Sequence, residues 1–422
     1  MSALNIITAA KKASKELSLA STNTKNEVLK SLSQLLEANR EEILHANQID
    51  LAANQHLATG LIDRLSLNQE RIESLRVQLA ELIAIADPIS EIVQDIHRPN
   101  GLNLLQLRVP FGLIGAIYEA RPNVTIDIAA MAIKTGNAIV LRGGSAAENT
   151  NKVLVALIQE ALSQHGLPTE AVQTVDEFGR EGATAMMEAR GLIDVLIPRG
   201  SAELIRTVVE SSKVPVIETG DGIVHIFLDA TAKLEYAVEI VKNSKTQRPS
   251  VCNALETLLV HKDAAERLIV PVLDALTESG VVIRGDETVQ KLYPKAIAAS
   301  EADWSTEYLA LDLSVKIVDN LDQALEHIAK YSSAHTESII TEDQANAERF
   351  LAEVDSAVVM VNASTRFTDG FEFGFGAEVG ISTQKLHARG PMGLTELTTT
   401  KWLVRGSGQS RAKKALARVD LF

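Results

Sequence analysis

Residues 245–261, KTQRPSVCNALETLLVH, contain the only cysteine of the 422-residue chain, Cys252. A single thiol cannot form an intramolecular disulfide, so its role is packing or chemistry. Pro249 interrupts a helical pattern just before it, which predicts that Cys252 lies on a turn. Lys245 and Arg248 precede it, and nearby cations favour the thiolate, the nucleophilic form of cysteine. The alternative is a buried cysteine that only packs as a small apolar residue, and these residues alone leave both interpretations open.

Short apolar runs alternate with helical patterns from residue 111 onward. This alternation predicts a parallel sheet with helices on both faces. The predicted strands are residues 112–118, 138–141, 171–175, 193–197 and 214–217. Ligands in such sheets bind at the carboxyl ends of the strands. The candidate ligand-binding loops are therefore residues 119–123, 142–145, 198–201 and 218–222.

Two of these loops carry groups that suit a phosphate. Gly143 and Gly144 allow close backbone approach, and Arg142 supplies a fork of donors. Gly200 and Ser201 open a predicted helix whose N-terminal amides favour an anion. Neither the G-x-G-x-x-G fingerprint nor the G-x-x-x-x-G-K-[ST] loop occurs in the chain. One glycine-rich turn would carry little weight, but several at successive strand ends indicate a nucleotide site.

Composition and charge exclude several classes of function. The formal net charge of −14 disfavours nucleic-acid binding, because phosphate neutralisation needs clustered Lys and Arg. We expect no membrane span, since no run of 18 apolar residues occurs. The first twenty residues show no signal-peptide pattern, and together with the single cysteine this predicts the cytoplasm. No metal site is predicted.

The first 90 residues are predicted to form helices. Thr24 and Glu27 have the spacing of a capping box ahead of an apolar stripe, and Ser66 and Gln69 repeat that spacing before a second stripe. These stripes predict a helical layer that packs over a sheet.

A hairpin and a second α/β region follow in the prediction. The turn signal Pro-Asn-Gly at 99–101 predicts a hairpin over residues 92–109, which must pair with further strands, because a lone hairpin is marginal in water. Residues 224 to about 386 predict a second α/β domain. Its predicted strands are residues 255–260, 315–318, 338–340 and 357–361. The irregular stretch 361–402 is rich in Gly, Thr and Phe and is predicted to be a functional loop.

Five segments carry a resemblance to a known family. They are EARPNVT, VLRGG, IPRGS, KTQRPSVCN and VNASTRFTDG…FGFGAEVGISTQKLHARGPMGL. These segments resemble the gamma-glutamyl phosphate reductases, also called glutamate-5-semialdehyde dehydrogenases, a branch of the aldehyde dehydrogenase superfamily. The match runs over essentially the whole chain. The sequence departs from the family pattern at residues 221–224, before His225, where a pair such as Asn-Cys is expected.

The resemblance implies an aldehyde dehydrogenase-like fold with two parallel-sheet α/β domains, helices on both faces, and a small oligomerisation element. The implied parts are a cofactor-binding domain (1–223), a catalytic domain with Cys252 (224–388), and a C-terminal return segment (389–422) whose strand pairs with the oligomerisation hairpin (91–109). The implied reaction is the NADPH-dependent reduction of L-glutamyl 5-phosphate to L-glutamate 5-semialdehyde and phosphate, in proline biosynthesis. A cytoplasmic homo-oligomer without nucleic-acid or membrane partners is implied, and association with glutamate 5-kinase stays open.

The resemblance also assigns roles to residues. Cys252 would form a thioester with the substrate, and Asn123 would donate to the oxyanion together with the Cys252 backbone N–H. The candidate cations for the two anionic ends of the substrate are Arg121, Lys245, Arg248, Arg366, His387 and Arg389. The candidate cofactor contacts are Arg142, Gly143, Gly144, Ser145, Gly200, Ser201, Glu218 and Gly220. Arg142 and Ser145 occupy the places of a Lys and a ribose-binding Glu in NAD-using relatives, which predicts NADP(H) over NAD(H).

Three other functions fit part of the pattern. A hydrolytic aldehyde dehydrogenase would use Glu218 to activate water, whereas in a reductase that act would waste the substrate, so we expect Glu218 to be turned away or structural. A cysteine hydrolase would use His261 or His225 as its base, but it leaves the nucleotide-like loops unexplained. A non-catalytic binding protein leaves the segment RPSVCN without a purpose.

Overall fold

The computed structural model describes residues 2–411, and its strands form two parallel sheets and two antiparallel ones. The helices are α1 (Ala3–Leu17), α2 (Thr22–Ala38), α3 (Arg40–Ala53), α4 (Thr59–Leu65), α5 (Gln69–Ala84), α6 (Pro122–Lys134), α7 (Glu148–Gln164), α8 (Gly179–Glu188), α9 (Ala202–Ser211), α10 (Leu234–Thr246), α11 (Lys262–Thr277), α12 (Glu287–Leu292), α13 (Leu321–Tyr331) and α14 (Gln344–Glu353). The strands are β1 (Ile92–His97), β2 (Asn103–Pro110), β3 (Leu113–Tyr118), β4 (Ala138–Arg142), β5 (Val172–Thr174), β6 (Val195–Arg199), β7 (Val224–Leu228), β8 (Leu255–His261), β9 (Val282–Gly285), β10 (Ile297–Ala298), β11 (Asp312–Val318), β12 (Thr336–Ile340), β13 (Val358–Val361), β14 (Ile381–Ser382), β15 (Gly390–Pro391) and β16 (Thr398–Arg405).

The first parallel sheet has the strand order β5-β4-β3-β6. Every residue of β3 is buried, as expected of a central strand in a sheet covered on both faces. Gly136 and Gly166 follow the ends of α6 and α7 with positive φ, the conformation that favours glycine just after a helix C-terminus. The prediction of a strand at 214–217 is wrong, because only Val216 forms an isolated bridge there, to Leu196.

The N-terminal helices pack over this sheet, as predicted, but they begin at other residues. The side chain of Ser21 caps α2 by accepting the N–H of Thr24 at 3.1 Å. The side chain of Asn68 caps α5 in the same way. The two predicted capping boxes were therefore wrong, because each lies a few residues from the residue that caps the helix.

The second parallel sheet has the order β10-β9-β11-β8-β7-β12-β13. The four strands predicted for this region are present as β8, β11, β12 and β13. The sheet also contains β7, β9 and β10, which the sequence pattern did not reveal. Its strand β8 begins three residues after Cys252.

The predicted hairpin is β1-β2, and β16 adds a third antiparallel strand to it. Strand β16 pairs with β2 over eight residue pairs, from Thr398 opposite Pro110 to Arg405 opposite Asn103. Residues 412–422 of the predicted return segment lie outside the described residues.

The buried apolar residues form separate cores under the two parallel sheets. The first core also contains residues that come after the second sheet in the chain, namely Val379, Ala388, Met392, Leu394 and Leu397. Residues 379–388, which we predicted within the second domain, therefore pack on the first. The other domain limits stay predictions. No helix in residues 2–411 is long and apolar enough to cross a bilayer.

Candidate active site

Cys252 lies on the turn between α10 and β8, as predicted. The turn is held from one side by residues of the stretch 361–402. Asn253 Nδ2 donates to the Thr368 carbonyl oxygen at 2.7 Å, and Thr365 Oγ1 donates to the Asn253 carbonyl oxygen at 2.8 Å. From the other side Gly222 packs so closely that a Cβ there would overlap the Cys252 carbonyl group. The turn that carries Cys252 is thus held by two other stretches of the chain.

The charges around Cys252 differ from those predicted. Burial raises the pKa of the Cys252 thiol to about 12; Arg199 acts to lower this pKa, and Glu378 and Glu307 raise it further. The prediction that Lys245 favours the thiolate was wrong. Lys245 is fully buried, and its Nζ lies 2.6 Å from Glu256 Oε2, so its charge is neutralised within the second domain.

Arg199 is the main cation that the sequence analysis missed. It ends β6, in the loop IPRGS that was noted only for Gly200 and Ser201. It lies within electrostatic reach of Cys252, Asp127 and Glu378.

Asn123 lies in the first turn of α6. Its Nδ2 donates to Asp127 Oδ2 at 3.1 Å, one helical turn further on. Burial raises the pKa of Asp127 to about 6, although Asn123 and Arg199 both act to lower it. An amide carries two N–H donors, so Asn123 can be held by Asp127 and still donate to a substrate oxygen.

Two of the predicted substrate cations, Arg121 and Arg248, line one cavity together with Asn123. The cavity has a volume of about 300 Å³, and Arg64 and Arg71 also line it. Neither Arg64 nor Arg71 was predicted, and no sequence motif marks them. The structure therefore confirms that Arg121, Arg248 and Asn123 lie together.

Arg366 bonds to residues on both sides of Cys252 in the chain. Its Nη1 donates to Asn253 Oδ1 and its Nε donates to Gln247 Oε1. Burial lowers the pKa of Arg366, and Cys252 is among the groups that act to raise it. This places a guanidinium within electrostatic reach of the thiol.

The last two predicted cations are engaged elsewhere. Arg389 pairs with Asp355 at 2.8 Å, and Asp355 also pairs with Lys385, so the guanidinium is already engaged by this carboxylate. His387 packs edge-on against Phe111, which precedes β3, whereas Arg121 follows that strand. Six strand residues span roughly 20 Å, so His387 lies at the opposite edge of the sheet. We therefore withdraw both residues, and Lys245, as predicted substrate contacts.

The histidines of the cysteine-hydrolase alternative do not face Cys252. His261 ends β8, six residues after its start, which is roughly 20 Å along the strand. His225 is fully buried, with Nδ1 3.2 Å from Glu337 Oε2. Neither histidine is therefore placed to act as a base for Cys252, as a cysteine hydrolase would require.

A second cleft, of about 290 Å³, runs along α9 and contains Glu218 and Gly220. Ile205 and Val209 present an apolar face of α9 to it, and Ser201 caps the helix. The Ser201 N–H is already bonded to Glu119 Oε1 at 2.9 Å. This contact leaves fewer free amides for an anion at the start of α9 than we predicted.

The glycines that we predicted to contact a phosphate also pack against neighbouring loops. The Gly143 N–H donates to Asp176 Oδ1 at 2.7 Å. A Cβ on Gly144 would lie 2.5 Å from the Ala120 backbone nitrogen. Next to them Arg142 donates from Nε to the Gly179 carbonyl oxygen, and Ser145 begins a short 3₁₀ turn. The loops at the strand ends therefore pack on one another.

The titratable residues in the described part of the chain include no group of three or more that could hold a metal ion.

Comparisons with known proteins agree on one family. The sequence model of the aldehyde dehydrogenase family matches residues 2–291. The chain is 61% identical to a gamma-glutamyl phosphate reductase of Leifsonia xyli over 96% of both chains. It is 58% identical to one of Clavibacter michiganensis, over 96% of this chain and 94% of the relative.

Solved structures show the same fold. The crystal structure of gamma-glutamyl phosphate reductase from Thermotoga maritima superposes with a TM-score of 0.95 at 45% identity, over 97% of this chain and 100% of that one. An acetylating aldehyde dehydrogenase from Geobacillus thermoglucosidasius has a TM-score of 0.68 at 18% identity, over 97% and 98% of the two chains, a likeness that concerns the fold alone.

Proposed function

The chain belongs to the gamma-glutamyl phosphate reductases, oxidoreductases of the aldehyde dehydrogenase family, and from this membership we propose that it reduces L-glutamyl 5-phosphate to L-glutamate 5-semialdehyde and phosphate with NADPH. The observation that carries the proposal is the surroundings of Cys252: Arg199 and Arg366 lie within electrostatic reach of the thiol, and Arg248, four residues before it, lines one cavity with Asn123. The reaction would serve proline biosynthesis in the cytoplasm.

The first step would be acyl transfer to Cys252. Sγ attacks the carbonyl carbon, the bond from that carbon to the phosphoryl oxygen breaks, and phosphate leaves with the electron pair and takes up the proton that the thiol gives up. Arg199 and Arg366 lie within electrostatic reach of the thiol and would stabilise its anion. The free N–H of Asn123 would donate to the carbonyl oxygen while it carries negative charge.

The second step would reduce the thioester. NADPH, when bound, supplies a hydride to the thioester carbon. Asn123 would again hold the negative oxygen, and the carbon–sulfur bond would then break and return its electron pair to Sγ, releasing the aldehyde. Because no water enters this sequence, the site gains nothing from a carboxylate that activates water.

NADP(H) is proposed over NAD(H) because of Arg142. Its Nε bonds to the Gly179 carbonyl oxygen, and its terminal nitrogens have no bonding partner among residues 2–411, so both can turn to a 2′-phosphate. Asp176 stands nearby, but its two carboxylate oxygens already accept from Gly143 and Asn151. Gly143, Gly144, Ser145, Gly200, Ser201, Glu218 and Gly220 remain the proposed cofactor contacts around it.

The protein is also proposed to form a homo-oligomer through the sheet β1-β2-β16. Trp402 and Val404 are 44% and 56% exposed on one face of it. Apolar residues exposed together on a sheet indicate an interaction surface. Association with glutamate 5-kinase is kept as a secondary proposal, since it would shorten the life of an unstable acyl phosphate in water.

The proposed function is tested by mixing the protein with glutamate 5-kinase, ATP and glutamate, and following nicotinamide absorbance. Oxidation of NADPH that requires the kinase, and that is much slower with NADH, supports the proposal. Absence of NADPH oxidation, or reduction of NADP⁺ by the semialdehyde without phosphate, would identify a different reaction, and the latter would point to the hydrolytic alternative.

A further inference from the structure

The cavity between α4, α5 and the start of α6 has an excess of positive charge. Arg64 comes from α4, Arg121 immediately precedes α6, and Arg248 comes from the loop before Cys252. Within residues 2–411, none of these three guanidinium groups has an ion-pair partner, unlike Arg71 in the same cavity, which is 2.5 Å from Asp63. Three unpaired cations in one cavity repel each other, so the arrangement favours an anionic ligand.

Arg121 shows that repulsion most clearly. Its Nε is buried and has no hydrogen-bond partner. Burial lowers the pKa of Arg121 to about 10, with Arg199 and Arg64 lowering it further, and Glu119 is the single acid that acts against them. Folded proteins rarely leave a buried donor unpaired, which indicates that a ligand completes this site.

The position of Asn123 identifies which end of the substrate enters. Asn123 lines this cavity, and in the proposed mechanism it holds the oxygen of the reacting carbonyl. In an acyl phosphate a single oxygen separates the phosphorus from that carbon, whereas three carbon atoms separate the α-carboxylate from it. A group that sits next to Asn123 is therefore the phosphoryl group.

The opposite side of Asn123 suits the α-ammonium group. Asp127 and Glu378 line a smaller adjoining cavity, and neither has an ion-pair partner in the described part of the chain. Burial raises the pKa of both carboxyls, so a cation between them would stabilise their ionised forms. The arginine cavity offers only Asp63, which Arg71 already neutralises, and so it lacks a partner for an ammonium group.

We infer that Arg64, Arg121 and Arg248 form the phosphate site: they bind the phosphoryl group of the incoming acyl phosphate and hold the phosphate released when Cys252 is acylated. The inference rests on the proposed function and extends it, because it assigns the two ends of the substrate and adds Arg64 from the N-terminal helices. Release of phosphate would then be required before this cavity can accept a second substrate.

The reverse reaction separates the two ends, because phosphate and glutamate 5-semialdehyde are then different substrates. With NADP⁺ present, the Arg64→Gln variant is expected to raise the KM for phosphate by about tenfold or more, the loss of one charge-assisted hydrogen bond, and to change the KM for the aldehyde by less than about twofold. Arg64→Lys keeps the charge and should recover part of the loss. Arg76→Gln is the matched control, since Arg76 lies on α5 and pairs with Glu37 and Glu73, and it should change neither constant.

A binding measurement keeps this inference separate from the proposed function. Calorimetric titration of the unreacted protein with inorganic phosphate, at constant ionic strength, should show one site that Arg64→Gln weakens by a similar factor. That result would support the phosphate site even if the reductase assay failed. A raised KM for the aldehyde with an unchanged KM for phosphate would assign the cavity to the α-carboxylate instead, and unchanged binding and kinetics would remove it from the substrate site; either result would overturn the inference.

Discussion

The surroundings of Cys252 disfavour its thiolate form. Burial and two acids, Glu378 and Glu307, raise the pKa of the thiol, and Arg199 opposes them. The raised pKa favours the protonated thiol at neutral pH. Because oxidation and alkylation need the thiolate, we expect this thiol to react slowly at neutral pH.

The pH dependence of alkylation tests this setting. Because the pKa of Cys252 is raised to about 12, the thiolate fraction should grow about tenfold for each pH unit between roughly pH 7 and pH 10. The rate of carboxamidomethylation by iodoacetamide, followed by mass spectrometry, should rise in the same way. A rate that levels off below about pH 9 would show that cations lower this pKa, as we first predicted from Lys245 and Arg248.

Glu218 is the carboxylate that a hydrolytic aldehyde dehydrogenase would use to activate water. It lines the α9 cleft, and its N–H donates to Gln384 Oε1 at 3.1 Å. The acids that act on the Cys252 pKa are Glu378 and Glu307, and Glu218 is not among them. We propose that it contributes to the cofactor cleft and takes no part in proton transfer.

Replacing Glu218 with Gln is accordingly expected to keep reductive turnover within about tenfold of the wild type, since loss of a general base typically costs about 10²–10⁴-fold. Steady-state oxidation of NADPH across pH measures this. A loss of about a thousandfold with unchanged affinity for NADPH would place Glu218 in the chemistry.

At the scale of elements, the site depends on three loops that meet before β8: the turn that carries Cys252, the loop with Gly222, and the stretch with Thr365 and Thr368. Gly222 lacks positive φ, so its requirement for glycine is steric: a Cβ would overlap the Cys252 carbonyl group. Its N–H also donates to Glu307 Oε1 at 2.8 Å. The loop after residue 218 thus helps to set the position of Cys252.

Gly222→Ala should therefore displace Cys252 and lower turnover by about a hundredfold, the effect of a shift of roughly 1 Å in a reacting group. Far-ultraviolet circular dichroism and NADPH binding should stay close to wild type. Gly60→Ala is the control, because an added Cβ on this helical glycine meets nothing within 4 Å. Full activity in Gly222→Ala would contradict the packing described for this turn.

Many of the helices and strands could be predicted from the sequence, because local sequence patterns determine them. The run 112–118 ends where β3 ends, and the runs 138–141 and 193–197 stop one and two residues before the ends of β4 and β6, so the loops at these strand ends were located to within two residues. The starts of α2 and α5 were predicted wrongly. Several polar residues near each start can cap a helix, and only the folded backbone shows which of them does so. Arg64 could not be predicted at all, because its place beside Arg121 depends on how α4 packs against α6.

At the scale of the whole molecule, the chain crosses between the two cores more than once. Residues 379–397 return to the first core after the second sheet is complete, and β16 then joins the hairpin β1-β2. No sequence period marks this return. Consequently the sequence indicated the α/β class and the hairpin, whereas the limits of the parts depend on long-range packing.

The three-stranded sheet leads to a prediction about assembly. Trp402 and Val404 are two residues apart on β16 and so share one face of the sheet, where both are exposed. Replacing both with Glu should bury charge in the proposed interface and shift the protein to a smaller species in light scattering after size-exclusion chromatography. Thr399→Glu, exposed on the opposite face of the same strand, should leave the mass unchanged. An unchanged mass in the double variant would place the interface elsewhere.

The central claim is that Cys252 carries the glutamyl group between phosphate release and reduction, and intact mass spectrometry tests it most directly. The protein is mixed with kinase-generated L-glutamyl 5-phosphate without NADPH and quenched in acid. We predict a mass gain of one glutamyl group located on Cys252, lost on addition of NADPH with formation of the semialdehyde, and absent from Cys252→Ala. An adduct on another residue, or sustained NADPH oxidation by Cys252→Ala, would contradict the account.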